Sequence, residues 1–112
     1  MLDRLSQSLE HYMDLLSARQ KLVSSNIANA DTPGYKTKDI DFQGEFQSAV
    51  RGVNPQPIEV SGLTVKNDGN NVSVDRESRL LAENDIRFNL ASNLLRSQIQ
   101  AIRAAIQTGS ST

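Results

Sequence analysis

No proline or glycine interrupts the first 32 residues, and within that span apolar side chains recur at Leu2, Leu5, Leu9, Tyr12 and Leu16, then at Val23 and Ala30. Steps alternating between three and four place all of these on one face of an α-helix, with Arg19 and Asn26 in the two intervening places. A stripe sustained over about four heptads is narrow enough to be a coiled-coil seam. Leu15, Leu22 and Ile27 flank and widen it. A chain that opens this way must bury a long helix against another helix. Pro33 disfavours the α conformation at Thr32, and Pro33-Gly34 suits a type II turn. The pattern therefore predicts an N-terminal helix over residues 1–30, with its last regular turn near Asn29.

A second periodic segment follows the turn-forming run Asp68-Gly69-Asn70-Asn71. Leu81, Phe88, Leu95, Ile99, Ile102 and Ile106 repeat at heptad-compatible spacing, with Ser78, Asp85 and Ser92 assigned to the intervening places. Leu80, Leu94, Ala101 and Ala105 broaden this face. Asp75 is the expected N-cap, and Glu77 is expected to complement the helix dipole. The prediction is a C-terminal helix over residues 74–108. The connector, residues 31–73, carries Pro55 and Pro57, while Ile58, Val60, Leu63 and Val65 allow only short extended pieces broken by Gly62. It is compatible with either a small hairpin or an ordered loop. The expected fold is mainly α: two long amphipathic terminal helices pairing as a coiled coil, joined by an irregular connector with short strands, in one elongated domain spanning residues 1–112.

Helices of about 28 and 33 residues span about 42 and 50 Å, whereas a compact chain of this size has a radius of gyration near 13 Å. Pairing shields one stripe of each helix and leaves the flanking apolar positions partly uncovered, which points to protein partners of similar helical kind, including further copies of the chain. A formal net charge of -1 with acids and bases interspersed gives no basic stripe for nucleic acid and no polybasic membrane anchor. The longest apolar runs, such as Leu80 to Ala82, are three residues, too short for a membrane span or for the apolar core of a cleavable signal peptide.

Chemistry-bearing constellations are sparse. With no cysteine and the single His11, neither a thiolate nucleophile nor a multi-histidine metal site is available, and no cofactor or metal is expected. His11 reads as an ordinary surface or packing residue. Asp39 and Asp41 sit beside Lys36 and Lys38 in a polar connector and do not suggest acid/base catalysis. Asn67 to Asn71 lacks the alternating ligands of a calcium loop and reads as a turn. No enzymatic activity is expected. Asn26 and Asn29 admit two readings. A polar residue on the seam can fix register and partner choice, and an asparagine near a helix end can equally terminate it by competing for backbone hydrogen bonds.

The stretch Ser25 to Phe42, SNIANADTPGYKTKDIDF, resembles the signature of the bacterial flagellar axial proteins, the rod and hook family. The matching motif residues are Asn26, Ile27, Asn29, Thr32, Pro33, Gly34 and Tyr35. The resemblance covers roughly residues 1–50 and 66–107, while 51–65 looks shorter than usual and matches nothing specific. Within the family, the Met1-Leu2-Asp3-Arg4 start, Asp39 to Phe42, DGNNVSVDRE at 68–77 and LAEND at 81–85 are most similar to the cell-proximal rod subunits. The resemblance implies a structural subunit of the hollow rod that transmits torque from rotor to hook, with the terminal helices packing helically around a channel. Its implied partners are copies of itself, other rod proteins of the FlgC type, the adaptor FliE, and components of the MS ring and export gate, without nucleic acid or membrane insertion. The implied location is the periplasmic rod of the basal body, reached through the flagellar type III apparatus without a cleaved signal. Phe42 and Phe46 have the spacing of the family's export-gate recognition element, and Phe46 with Val50 gives an overlapping copy. The alternatives are another rod subunit of the FlgC type or, in a different class, a helical adaptor or export chaperone.

Overall fold

The computed structural model describes residues 4–48 and 55–110. In chain order the elements are α1 (Arg4–Ala28), β1 (Lys38–Ile40), α2 (Phe42–Gln47), β2 (Pro57–Glu59) and α3 (Val74–Ser110). The two long helices pack on each other. Asn26 of α1 touches Glu77 of α3, and Leu16 of α1 touches Asn84, so the pair is antiparallel. The body measures 72 × 26 × 18 Å with a radius of gyration of 18.5 Å, an elongated shape as the helix lengths require.

On α1 the stripe is covered as expected at Leu16 and Val23 and partly at Leu9 and Tyr12, with Leu15 buried on the flank. Leu5, at the far end of the stripe, stays 53% exposed. On α3 the helix is rotated from the expected register. The places four residues before Leu81, Phe88 and Leu95 are filled by the buried Glu77, Asn84 and Ala91, while the expected seam residues Leu81 and Phe88 are exposed, as are Ser78 and Asp85, and Leu95 and Ser92 are half-buried. A heptad series of a carboxylate, an amide and a methyl group has no apolar signature, which is why Ser78, Asp85 and Ser92 looked equally suitable. Ile99 and Ile102 are half-buried, and Ile106 is 65% exposed.

α3 starts at Val74, as the predicted bounds have it, but its cap differs from expectation and is Ser73: its hydroxyl accepts from the Arg76 amide at 3.2 Å and its carbonyl from the Glu77 amide at 3.0 Å. Asp75 lies exposed in the first turn instead.

The connector is more ordered than a loop. β1 and β2 pair antiparallel with Lys38 opposite Glu59 and Ile40 opposite Pro57, burying Ile40. The short helix α2 has no counterpart in the periodic pattern of the sequence. Asp41 starts it, its carboxylate accepting from the Gly44 amide at 3.3 Å and its carbonyl from the Glu45 amide at 2.8 Å.

Among the described residues the buried apolar set is Leu15, Leu16, Val23, Ile40, Val72 and Ala91. The buried polar set is larger: Ser6, Asn26, Thr37, Asp39, Asn70, Asn71, Glu77 and Asn84. An interior this polar is specified by hydrogen bonds as much as by apolar burial.

Candidate functional site: a polar clasp between helices and connector

The polar residues converge where α1 ends, the connector begins and α3 starts. Thr32 to Tyr35 form the expected turn: the Tyr35 amide donates to the Thr32 carbonyl at 3.2 Å, and Gly34 at the third position has φ 76°. Positive φ at that position defines type II geometry and favours glycine. The second turn, at Asp68-Gly69-Asn70-Asn71, docks against the first. The Gly34 amide donates to the Asp68 carbonyl at 2.9 Å, and a Cβ on Gly69 would stand 3.4 Å from Gly34 Cα.

This second turn caps α1, which has no basic residue in its own last turn. Asn70 Nδ2 donates to the carbonyls of Asn29 and Thr32 at 2.9 and 2.8 Å, and Lys66 Nζ to that of Ala30 at 3.1 Å. Carbonyls left over at the helix end thus gain donors, one of them a cation at the negative end of the dipole. Asn71 Oδ1 accepts from the Thr37 amide at 2.6 Å, holding the strand leading into β1.

Asn26 is the centre of the clasp and is fully buried. Its Nδ2 donates to the Lys38 carbonyl at 2.8 Å and to Glu77 Oε1 at 2.7 Å. Its Oδ1 accepts from the Lys38 amide at 3.1 Å and the Tyr35 hydroxyl at 3.0 Å. Two donors and two acceptor sites are the whole capacity of a primary amide, so one side chain ties α1 to the turn, to β1 and to α3. The two asparagines bond differently: Asn26 reaches across to β1 and α3, the contact a register role requires, whereas Asn29 turns back on its own helix end. Asn29 Nδ2 bonds back to the Ser25 carbonyl at 2.8 Å, while Oδ1 accepts from the exposed Thr32 hydroxyl at 3.0 Å. Ile27 is half-buried and Pro33 is exposed.

A charged group lies beside the amide. Arg19 of α1 grips Asp39 in bidentate fashion, Nε to Oδ1 at 2.9 Å and Nη2 to Oδ2 at 3.0 Å. Arg76 Nη2 reaches the same Oδ2 at 2.9 Å, and Arg76 Nη1 pairs with the buried Glu77. Burial by itself would raise the Asp39 pKa. The Arg19 hydrogen bond, the Ile40 amide, the Arg19 charge and the Arg76 hydrogen bond outweigh it and hold the carboxyl below its ordinary 3.8. Asp39 is therefore a structural anion.

Phe42 and Phe46 dock α2 onto α1. Phe42 meets Tyr12 edge-on at 5.4 Å, with the Arg19 guanidinium 5.5 Å from its ring centre. Phe46 stacks on His11 at 5.7 Å and meets Tyr12 edge-on at 6.0 Å, and His11 Nε2 donates to the Glu45 carbonyl at 3.1 Å. Both phenylalanines thus lie on one short helix, while Val50 of the overlapping pair is outside the described residues.

The clasp unites Asn26, Asn29, Thr32, Gly34 and Tyr35 of the motif with residues that sequence reasoning does not assign to a site: Arg19, Asp39, Asn70, Asn71, Arg76 and Glu77. Two signals were present. Arg19 and Asn26 are polar interruptions of an apolar stripe, and Glu77 and Asn84 stand seven apart on a helix whose apolar places also follow a heptad.

The family described as "Flagella basal body rod protein" matches residues 13–36, the segment from mid-α1 to the turn. Similarity to curated proteins extends over nearly the whole chain. The flagellar basal body rod protein FlgB of Escherichia coli K12 is 31% identical, with 97% of this chain and 99% of that protein aligned. FlgB of Yersinia ruckeri is 31% identical over 97% of this chain and all of its own length. The Borrelia hermsii protein of the same name is 29% identical over 92% and 96%. With that identity over essentially the full length of both partners, and the signature segment forming the junction of the fold, the chain belongs to the family of the flagellar basal body rod protein FlgB.

Proposed function

We propose that this chain is a proximal-rod subunit whose two long helices pack against those of neighbouring subunits to build the hollow drive shaft, the clasp fixing the angle at which the connector leaves the helix pair. The family makes it a structural component of the flagellar basal body rod rather than an enzyme. The observation that carries the packing role is an uncovered second face on α3. Ile86, Leu90 and Leu94 follow at steps of four on a different face from the one α1 covers, and they are 69, 59 and 50% exposed. The chain presents 7685 Å² of surface. A compact monomer of its mass presents about 6,100 Å². The excess is of the order of two standard interface patches of about 800 Å² each, one toward each of two neighbours.

In this reading the neighbours are further copies, FlgC-type rod proteins and the adaptor FliE, near the MS ring and export gate, and the chain arrives through the flagellar type III apparatus. Basal bodies purified from cells making a tagged chain are expected to retain it stoichiometrically through washes that remove soluble proteins. Recovery only as a soluble cytoplasmic dimer would instead identify a transient adaptor or export chaperone.

For export, Phe42 and Phe46 are the residues the gate reads. Phe42→Ala with Phe46→Ala is expected to leave the cellular amount of the chain unchanged and reduce its appearance in basal bodies at least about tenfold, the factor that corresponds to losing ~1.4 kcal/mol of recognition. Normal incorporation of the double variant would remove the assignment.

A further inference from the structure

The helix pair and the connector meet in a charge arrangement that neither helix completes alone. Arg19 from α1 and Arg76 from the first turn of α3 both donate to Asp39 Oδ2, at 3.0 and 2.9 Å. Two guanidinium nitrogens on one oxygen stand within about 6 Å of each other, close enough for strong repulsion if the carboxylate were absent. The arginine side chains are 16 and 21% exposed and that of Asp39 is 8%, so water screens the repulsion weakly. The fourth charge, Glu77, is fully buried and is already engaged by Arg76 and by the Asn26 amide. The helices by themselves therefore bring two cations and one anion to this point of their interface, and β1 supplies the second anion.

We propose that Asp39 is an electrostatic interlock: α1 and α3 close into their antiparallel pair only when β1 has docked between their ends, making helix pairing conditional on a folded connector. The contact between the helices is suited to such control. Its buried apolar residues include Leu16, Val23 and Ala91, interleaved with the buried Asn26, Glu77 and Asn84. An apolar seam would close regardless of the connector, whereas one this polar needs its charges balanced. While the connector is unfolded, the interlock keeps the helix faces apart, so the face that α1 offers to α3 cannot form ahead of the rest of the subunit.

The test uses the full chain. Because it contains no cysteine, spin labels can be placed on cysteines introduced at the exposed Gln7 and Asn93, on α1 and α3 and away from the clasp. Electron-electron distance measurement, with the labelled chain diluted in unlabelled chain, reports the closed pair as one short, narrow distance. In the Asp39→Asn background the ratio of closed to open pairs is expected to fall about a hundredfold, the effect of stranding a poorly solvated cation. Adding Arg19→Met removes the surplus charge and keeps a flexible apolar side chain against Phe42. It is expected to restore most of the short distance. If Asp39 acts only through its hydrogen bonds and packing, loss of Arg19 adds to the damage. A double variant as open as Asp39→Asn, or more so, overturns the interlock, and so does an Asp39→Asn chain that keeps the closed distance.

Discussion

Asn26→Ala is expected to release the connector from both helices and to lower the stability of the isolated chain by at least about 3 kcal/mol, since each buried polar group left without a partner costs roughly 1–3 kcal/mol. The substitution strands the Lys38 amide and carbonyl and one oxygen of the fully buried Glu77, and leaves the Tyr35 hydroxyl only its bond with the Ser25 hydroxyl. The neighbouring Arg76 is held by Glu77 Oε2 and Asp39 Oδ2. For a chain with so small an apolar interior, a loss of this size is comparable with the whole folding free energy of about 5–15 kcal/mol typical of proteins. Circular dichroism melting of the purified chain measures it. Asn29→Ala is the internal control. It removes two exposed bonds, to the Ser25 carbonyl and from the Thr32 hydroxyl, and leaves the Asn29 carbonyl, which Asn70 uses, in place. Its effect should stay below about 1 kcal/mol. Equal destabilisation by the two substitutions would show that Asn26 is not the hub.

Gly34→Val is the second large effect, through the backbone rather than through hydrogen bonds. Gly34 has φ 76°, and a Cβ built there meets nothing within 4 Å. A clash with neighbours is therefore not the cause of any loss. Only the left-handed conformation is, and a β-branched residue there is strained by about 2–3 kcal/mol, alanine by about 1. The strain is relieved by opening the turn, which breaks the Gly34-to-Asp68 bond and undocks the second turn from the end of α1. The expected order of melting temperature is wild type, Gly34→Ala, Gly34→Val, and basal bodies should incorporate the valine variant poorly. Equal melting temperatures for alanine and valine would mean that the turn adapts without leaving its place.

The features legible in the sequence are those with a period or a special backbone. The apolar stripe announced α1, the heptad spacing announced α3, and Pro33-Gly34 announced the turn because only a few residues suit its angles. The clasp was not legible, because a hydrogen bond between Asn26 and Glu77 joins residues 51 apart and leaves no local trace. Glu77 illustrates the difficulty. A glutamate in the first turn of a helix is ordinarily a solvated partner of the dipole, and here it is fully buried. Asn70 and Asn71 suit a turn by composition and form one, while their side chains also cap α1 and hold Thr37. The short helix α2 has too few residues to show a period, and its cap, Asp41, resembled any other connector carboxylate.

The anchoring of the connector at both of its ends has a consequence for how such a subunit can vary. β1 is held by Asn26 and Asp39, and the chain is seized again at Lys66 and Asn70. Lengthening the stretch between those two anchorages changes the closure entropy by only about 0.6 kcal/mol for each doubling. The alignment with the Escherichia coli relative runs to 137 positions against the 112 residues of this chain, so the relative carries insertions. A junction pinned on both sides lets the connector between β1 and Lys66 be enlarged or trimmed while the paired helices keep their register. The connector is thereby free to change length around an unchanged helix pair.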